Sequence, residues 1–393
     1  MIILDEPYVS RYLKETITSA RLPVLRNKTS MQQDFQEDFP DDMVLLDDAA
    51  CIALFRENPE QKLYSNSEHA LQWIADNLAS TGLPEKIALF KDKAAFRRLI
   101  QPLFPDFFFR EVAATDLESL DIKNIPKPFI IKPAIGFFSA GVYRVASDAD
   151  WAGVLRSLKT EMKEHSVLYP PQVYNSATWI IEEYIPGAEI AVDAFFTAAG
   201  EPVVLNIFSH IFSSDADVDD KVYLTSKAIV RKYLSPVTVL LRQIQTLTSI
   251  RNFPLHIELR VTEDGRVIPI EVNPMRFAGW CTTDIAAYAY GINVYRAYFE
   301  ENAPDWPSIL ADDTGDVYAL LVLKPPTDLS SESISGFDYG GFAAAFANPL
   351  EMRPVDFTSY PVFGFFFIKL AGGDMSEITT FLHSDLREYI DVQ

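Results

Sequence analysis

Alternating apolar and polar positions predict a β-hairpin at LHIELRVTEDGRVIPIEVN, residues 255–273. Two alternating runs flank Asp264-Gly265, a dipeptide typical of a two-residue type I′ turn. Such a turn sets the register of the two strands and places one apolar face against a core. The predicted apolar pairs are Ile257 with Val272, Leu259 with Ile270, and Val261 with Ile268.

The polar face of this hairpin contains candidate metal ligands. In the predicted register Glu258 lies opposite Glu271, and His256 lies opposite Asn273. Opposed residues have Cβ atoms ~5 Å apart, and two carboxylates at that distance repel by roughly 3 kcal/mol at an effective dielectric near 20. Stability alone does not favour such a pair, whereas Glu258, Glu271 and Asn273 offer hard oxygen ligands for Mg²⁺ or Mn²⁺. A solvated face with hydrated charges is the alternative interpretation.

A lysine ends an apolar run in FIIKPAIGFFSAGVYRV, residues 129–145. Lys132 precedes a loop bounded by Gly136 and Gly141, so neither a Walker loop nor a three-glycine dinucleotide fingerprint fits. A fixed lysine beside a glycine-bounded loop suits phosphate oxygens, because the loop's backbone N–H groups can approach them. A lysine that snorkels at a strand edge is the alternative.

Two strands separated by Pro186-Gly187 are predicted in TWIIEEYIPGAEIAVDAFF, at 179–185 and 189–197. In the second strand polar and small residues alternate with apolar ones, which is typical of a half-buried strand. A plain hairpin with its polar side in water accounts for this stretch taken alone. The polar and small set is Glu189, Ala191 and Asp193.

The remaining pattern alternates helices and strands. Ser147 is a plausible N-cap for a helix over 148–165, an acidic loop follows the strand pair, and another helix is expected near 235–250. We predict three domains: an α/β domain at 1–88, a central domain at 89–304, and a β-rich domain at 305–393.

Composition excludes several classes of protein. The 393 residues are 48% hydrophobic and 23% charged, which is enough for two or three domains with cores. A net charge of −21 argues against a nucleic-acid or anionic-membrane surface. Two cysteines are too few for a disulfide framework, and the longest apolar runs fall short of the ~18 residues that a membrane span needs. With no signal-peptide pattern at the start, we expect a cytoplasmic protein.

Four segments in order resemble the ATP-grasp superfamily of ATP-dependent carboxylate-amine ligases. They are FKDKAAFRRL, FIIKPAIGFFSAGV, IIEEYIPGAEIAVD and HIELRVTEDGRVIPIEVNPMR, and together they cover about residues 90–300. The resemblance implies an α/β and α+β chain in which two α+β lobes hold the nucleotide, with an N-terminal α/β domain and a β-rich C-terminal domain. It also implies ATP and Mg²⁺ or Mn²⁺ as cofactors, and small-molecule carboxylate and amine substrates joined through an acyl phosphate with release of ADP and phosphate.

The resemblance also implies roles for individual residues. Lys132 and Arg276 are the catalytic candidates. It places Lys93 and Lys132 on the phosphates under the loop that contains Gly136, Ser139 and Gly141, and Glu258, Glu271 and Asn273 on the metal. It places Glu182, Glu183, Tyr184 and Ile185 along the adenine, largely through backbone groups, and Glu189 on the ribose hydroxyls.

Several positions depart from the family pattern. Phe137 and Phe138 are bulky for the phosphate loop, His256 replaces an arginine that some members carry, and Met275 separates Pro274 from Arg276. A regulatory ATP-binding protein without turnover is therefore the alternative function. A serine hydrolase at Ser139 lacks the glycine that a nucleophile elbow needs two residues earlier. The sequence leaves open the identity of the substrates, the number of metal ions, and the roles of His256, Lys221 and Tyr223. It also leaves open the function of the C-terminal domain and the oligomeric state, for which a homodimer is one option.

Overall fold

The computed structural model of the protein describes residues 1–32, 43–136, 141–168, 175–212, 221–326 and 328–392. The strands in these ranges are β1 (Ile2–Ile3), β2 (Val24–Leu25), β3 (Leu45–Leu46), β4 (Tyr64–Ser65), β5 (Phe109–Ala113), β6 (Phe129–Ile135), β7 (Tyr143–Val145), β8 (Asn175–Glu183), β9 (Ala188–Phe196), β10 (Pro202–Ile211), β11 (Val222–Ser226), β12 (Phe253–Val261), β13 (Val267–Pro274), β14 (Val317–Leu323), β15 (Ile334–Phe337), β16 (Pro349–Pro354), β17 (Gly364–Leu370) and β18 (Ile390–Val392). The helices are α1 (Arg11–Ser19), α2 (Asp48–Glu57), α3 (Ala70–Asn77), α4 (Leu83–Lys91), α5 (Lys93–Ile100), α6 (Trp151–Leu168), α7 (Lys227–Thr248), α8 (Ile285–Tyr290), α9 (Val294–Glu300), α10 (Trp306–Ile309), α11 (Tyr339–Ala344) and α12 (Ser376–His383). Among the described helices, none is long and apolar enough to cross a membrane.

The N-terminal part of the chain forms a small parallel sheet. Its strands are ordered β3-β2-β1-β4, and the pairs β1–β2, β1–β4 and β2–β3 are all parallel. Parallel neighbours need crossover connections. Helix α1 lies on the connection from β1 to its neighbour β2, and α2 lies on the connection from β3 to β4, the strands at the two edges. Ser10 caps α1 and Asp47 caps α2, each accepting a backbone hydrogen bond from the first turn. This arrangement confirms the expected N-terminal α/β unit.

The strands β5, β8, β6 and β7 form an antiparallel sheet in that order, which we call the small lobe. Its core packs Phe129, Ile131 and Trp179 against Trp151 and Leu158 of α6. The predicted N-cap at Ser147 is confirmed. Ser147 and Asp150 form a reciprocal capping box, and a 3₁₀ turn over Asp148–Asp150 leads into α6.

A larger antiparallel sheet follows the order β13-β12-β9-β10-β11-β14-β17-β16 within the described residues. One face packs on α7, where Ile257, Leu259 and Val272 share a core with Val237 and Leu241. The opposite face carries the side chains of Glu258 and Glu271. The sequence missed β10 and β11, because their apolar pattern surrounds the acidic segment that suggested a loop.

Strands β14, β17 and β16 continue the large sheet without a break. The first residues after the expected domain limit at 304–305 therefore lead into strands of the sheet that carries Glu258 and Glu271. The limits of the three domains stay predictions. Within the described chain, β15 and β18 pair in a separate two-stranded sheet beside α11.

The β12–β13 hairpin differs from its predicted form in two ways that cancel. The predicted two-residue turn is wrong: Thr262 N–H donates to the Arg266 carbonyl at 3.0 Å, and Gly265 follows a tight turn with φ of 84°. This loop of three residues is the type I turn with a left-handed glycine. It shifts the register near the tip, so that Leu259 pairs with Pro269 and Val261 with Val267, and the predicted pairs with Ile270 and Ile268 are wrong.

A β-bulge at Ile270 then restores the predicted register. The extra residue lies between the pairs Leu259–Pro269 and Glu258–Glu271. The predicted oppositions of Glu258 with Glu271, His256 with Asn273, and Ile257 with Val272 are therefore confirmed. The bulge also directs the Ile270 carbonyl towards the small lobe, where it accepts a hydrogen bond from Lys132 Nζ at 3.2 Å.

Candidate nucleotide and metal site

Lys132 lies in the cleft between the small lobe and the large sheet. It is 3% exposed, and its Nζ is 2.7 Å from Glu182 Oε2 on the neighbouring strand β8. Burial lowers the pKa of Lys132, with Arg97 and Lys93 acting in the same direction, while Glu182 opposes the shift. Since its Nζ also reaches the Ile270 carbonyl, Lys132 touches both walls of the cleft.

Two further lysines flank the start of the phosphate loop. The helix α4 ends at Lys91 and α5 begins at Lys93, and Asp92 between them caps α5 by accepting from Ala94 and Ala95. Nζ of Lys91 lies 3.3 Å and Nζ of Lys93 lies 3.4 Å from the Gly136 carbonyl oxygen. Lys93 Nζ is also 3.1 Å from Glu271 Oε2. The structure thus brings Lys93 to the candidate metal ligands, and adds Lys91, which the sequence analysis did not select.

The hairpin face supplies an oxygen set that fits a divalent cation. Glu258 and Glu271 are opposed, and Asn273 follows Glu271 on the same face of β13. Asn273 is 4% exposed, and among the described residues its Oδ1 has no hydrogen-bond partner. A buried amide oxygen without a donor is costly unless something else binds it. No cluster of three or more His, Cys, Asp or Glu suited to a metal occurs in the described ranges, so two carboxylates and one amide are the candidate set.

Arg276 is held by a carboxylate from the N-terminal sheet region. Its Nη2 lies 2.7 Å and its Nε 3.1 Å from Glu68 Oε1, and Nη1 donates to the Phe277 carbonyl at 2.9 Å. Glu68 is buried and also pairs with Lys91. Arg276 is therefore tied through Glu68 and Lys91 to the start of the loop at Gly136, and within the described residues its hydrogen bonds go to Glu68 and Phe277. No sequence pattern marks Glu68, because its partners are distant along the chain.

The segment expected along the adenine uses several of its polar groups within the small lobe. The side chain of Glu182 is buried and pairs with Arg97 and Lys132. The backbone N–H of Glu183 donates to the Phe108 carbonyl at 3.0 Å, and that of Tyr184 donates to the Pro128 carbonyl at 3.1 Å. Two of the expected backbone donors are thus engaged within the small lobe. Adenine contact by Glu182, Glu183, Tyr184 and Ile185 stays a prediction.

Glu189 lies on the same face of the large sheet and is bound by two basic groups. Its Oε1 is 3.1 Å from His210 Nδ1, and its Oε2 is 2.6 Å from Arg260 Nη2. Burial by itself raises the pKa of Glu189, but His210 and Arg260 lower it overall. The carboxylate is therefore ionised and oriented, as a ribose-binding group requires, although its contact with ribose stays a prediction.

The loop between Gly136 and Gly141 is described only at its ends. Ser139, Phe137 and Phe138 lie outside the described residues. Gly141 has φ of 74°, and a Cβ there would lie 3.1 Å from the ring of Trp179, so no other residue fits without strain. This steric limit explains the glycine at position 141, and its contact with a phosphate stays a prediction.

Arg97 is a second basic residue that the sequence analysis did not select. It is 3% exposed, its Nε pairs with Glu182, and its guanidinium lies 4.2 Å from the centroid of the Phe107 ring. Within the described chain its Nη1 and Nη2 are buried without hydrogen-bond partners. Arg97 lies in the FRRL part of the first resembling segment. Its place on the apolar face of the predicted helix could have marked it as a buried basic residue.

Two buried glutamates should control the acid stability of this site. Burial opposes their ionisation, yet Lys91 and Arg276 lower the pKa of Glu68 to about 2, and Arg97 and Lys132 do the same for Glu182. Both folded values lie below the ordinary 4.5. Above pH 4.5 each ionised glutamate therefore adds on the order of 3 kcal/mol to the free energy of unfolding. This contribution is lost as the pH falls from 4.5 towards 2.

Urea unfolding between pH 6 and pH 3 tests this expectation. The variant Glu182→Gln should show a shallower loss of unfolding free energy with acid than the parent, because it has one such carboxylate fewer. Glu15, which is exposed on α1, provides the control Glu15→Gln, whose slope should match the parent. Equal slopes for all three proteins would contradict the buried ion-pair argument.

Comparisons with known proteins agree with this geometry. Residues 125–284 match the profile of the ATP-grasp domain, whereas no curated protein matches the chain. The solved structure of L-amino acid ligase from Bacillus licheniformis is 17% identical, with a TM-score of 0.64 over 100% of this chain and 98% of that one. Biotin carboxylase from Campylobacter jejuni, in a βγ-ATP complex, is 12% identical, with a TM-score of 0.66 over 94% and 87%.

A third structure, carboxyaminoimidazole ribonucleotide synthase from Aspergillus clavatus complexed with ATP, is 15% identical, with a TM-score of 0.61 over 98% and 97%. At these identities the likeness establishes the fold. Residues 125–284 therefore match an ATP-grasp domain, and the chain has the ATP-grasp fold along its length.

Proposed function

We propose that the protein is an ATP-dependent ligase that joins a small-molecule carboxylate to an amine through an acyl phosphate. The observation that carries the proposal is the convergence of Lys132, Lys93 and the Glu258–Glu271 pair in one cleft. Lys93 Nζ lies 3.1 Å from Glu271, and Lys132 reaches the bulge carbonyl one residue before it. Cations and metal-binding oxygens at this spacing suit the phosphates of a nucleotide held with a divalent ion.

The basic residues exceed their acidic partners around the cleft floor. Five cations are paired there with three carboxylates, and Glu258 opposite Glu271 adds a fourth negative charge. The positive charge that remains suits a nucleotide phosphate. The cations are Lys91, Lys93, Arg97, Lys132 and Arg276, and the carboxylates are Glu68, Glu182 and Glu271.

Each group has a task in the proposed reaction. Glu258, Glu271 and Asn273 would hold Mg²⁺ or Mn²⁺, which neutralises charge on the phosphate oxygens when bound. Lys132 and Lys93 bind and orient the phosphates, and the substrate carboxylate attacks the γ-phosphorus in line. The protein supplies position and charge, so the reaction needs no nucleophilic side chain. The names of the structural neighbours, an amino acid ligase among them, support this reaction class.

Hydroxylamine trapping tests the proposal. A panel of amino acids and small carboxylic acids is incubated with ATP, Mg²⁺ and hydroxylamine, and hydroxamate, ADP and phosphate are measured. An acyl phosphate should yield hydroxamate and ADP in equal amounts with at least one acid. Formation of AMP, or a stable phosphate ester without hydroxamate, would contradict the ligase. Tight ATP binding without turnover for any acid would favour the regulatory ATP-binding protein instead.

A further inference from the structure

A buried carboxylate orients a histidine beside the candidate metal ligands. Asp193, His256 and Asn273 lie side by side on β9, β12 and β13. Asp193 is fully buried, and its Oδ1 is 2.7 Å from His256 Nδ1 and accepts a hydrogen bond from the Ala278 backbone N–H at 2.8 Å. Its Oδ2 accepts from Thr283 Oγ1 at 2.6 Å. Asp193 is thus held in one orientation by groups from two other segments.

This arrangement determines which nitrogen of His256 is presented to the cleft. A carboxylate can only accept hydrogen bonds, so Nδ1 carries the proton that points at Asp193. In the neutral ring, Nε2 is then the acceptor. Nε2 makes no hydrogen bond to the described part of the chain, and the side chain is 11% exposed. The edge-on ring of Phe208, at 6.2 Å between centroids, supports the imidazole from the side.

The position of His256 relates Nε2 to the proposed reaction. His256 lies opposite Asn273 and two residues before Glu258 on the same face of β12. Opposed residues on neighbouring strands have Cβ atoms ~5 Å apart, so the imidazole is adjacent to the groups that would hold the metal ion at the phosphates. Within the described residues the side chain of Asp193 binds His256, the Ala278 N–H and Thr283. Asp193 would therefore act on the candidate site through the histidine.

We propose that Nε2 of His256 accepts a hydrogen bond from the amine substrate and aims the nitrogen lone pair at the acyl phosphate, with Asp193 as its positioning residue. This inference rests on the proposed ligase function. A primary amine in its free form keeps one N–H for His256 while its lone pair attacks the carbonyl carbon. The C–N bond forms, the bond from carbon to the bridging oxygen breaks, and phosphate leaves with the electron pair and the proton that the new amide nitrogen loses.

Two substitutions separate the roles of the ring nitrogens. Asparagine at position 256 reaches about as far as Nδ1 and can keep the bond to Asp193, whereas glutamine places a polar group near Nε2. For His256→Asn, kcat/KM for the amine should fall roughly 30-fold, which corresponds to one lost hydrogen bond to a substrate. Hydroxamate formation at saturating hydroxylamine, a small nucleophile that is uncharged at neutral pH, should stay within about threefold.

His256→Gln should recover part of the lost amine activity, and Asp193→Asn should show the pattern of His256→Asn. Melting curves and binding of a non-hydrolysable ATP analogue establish that the variants are folded. Equal loss of hydroxamate and amide product in folded His256→Asn would overturn the inference, because His256 would then serve phosphoryl transfer. Unchanged amine kinetics would overturn it too. Absence of hydroxamate in the parent protein would instead refute the proposed function itself, and this inference with it.

Discussion

Replacing Glu271 with glutamine should lower metal-dependent ADP release by about a thousandfold, since the substitution removes a charged candidate metal ligand and a weaker-bound ion would leave the phosphates without their counter-ion. Glu258→Gln should have an effect of similar size. The structure places both carboxylates on one face of the hairpin, with Asn273 and its unpartnered Oδ1 beside them among the described residues. Each variant leaves the side-chain volume almost unchanged, so packing should not account for the loss.

The two variants should differ in stability without metal. Glu271 forms an ion pair with the buried Lys93, so Glu271→Gln leaves that ammonium without this carboxylate and should lower the unfolding free energy by about 1–3 kcal/mol. Glu258→Gln relieves the repulsion between the two opposed carboxylates, which by itself favours the folded state. From the opposed pair alone, relief of repulsion would be expected for both variants. The ion pair of Glu271 with Lys93 is the reason to expect lower stability for Glu271→Gln.

Turnover over a range of Mg²⁺ concentrations and melting in metal-free buffer provide the measurements. Asp264→Asn, at the exposed tip of the same hairpin, is the matched control and should retain parental turnover. If both glutamine variants keep their ADP release, the metal site lies elsewhere. A large early melting transition for Glu258→Gln would show that this carboxylate is structural.

Replacing Lys132 with methionine should suppress ADP release and hydroxamate formation together by at least about a hundredfold, since both depend on one phosphoryl-transfer transition state. Lys132 is buried and contacts both walls of the cleft, through Glu182 and the Ile270 carbonyl. Methionine preserves most of the apolar stem but carries no charge. Arg97 remains beside Glu182, so the carboxylate keeps one partner and the fold should persist.

Lys62→Met provides the control for loss of a partly buried ion pair away from the cleft, because Lys62 pairs with Glu301 at 3.0 Å. Initial rates, hydroxamate yields and melting temperatures should be compared for the two variants. Similar melting with activity lost only in Lys132→Met would support the proposed role. Separate effects on ADP release and hydroxamate would contradict a common transition state.

Local sequence information was sufficient for much of the site. Alternation and the tip glycine predicted the hairpin, and the opposition of Glu258 with Glu271 is confirmed. The N-cap at Ser147 is confirmed as well, and it depends on groups only three residues apart. The ATP-grasp fold followed from four short segments in order. These features depend on neighbours along the chain or on one strand pair joined by a short loop, so the sequence contains most of what defines them.

Tertiary structure alone decided how the charges are paired. Glu68 binds Arg276 across 208 residues, and Arg97 binds Glu182 across 85. No glycine near Ile270 predicts the bulge from the sequence. The bulge nevertheless restores the register of the hairpin, and the Ile270 carbonyl accepts a hydrogen bond from Lys132. The sequence by itself determined which residue types could bind a phosphate and a metal. Which of them meet is decided by the packing of the lobes, because burial allows these charges only where distant segments bring an opposite charge within bonding distance.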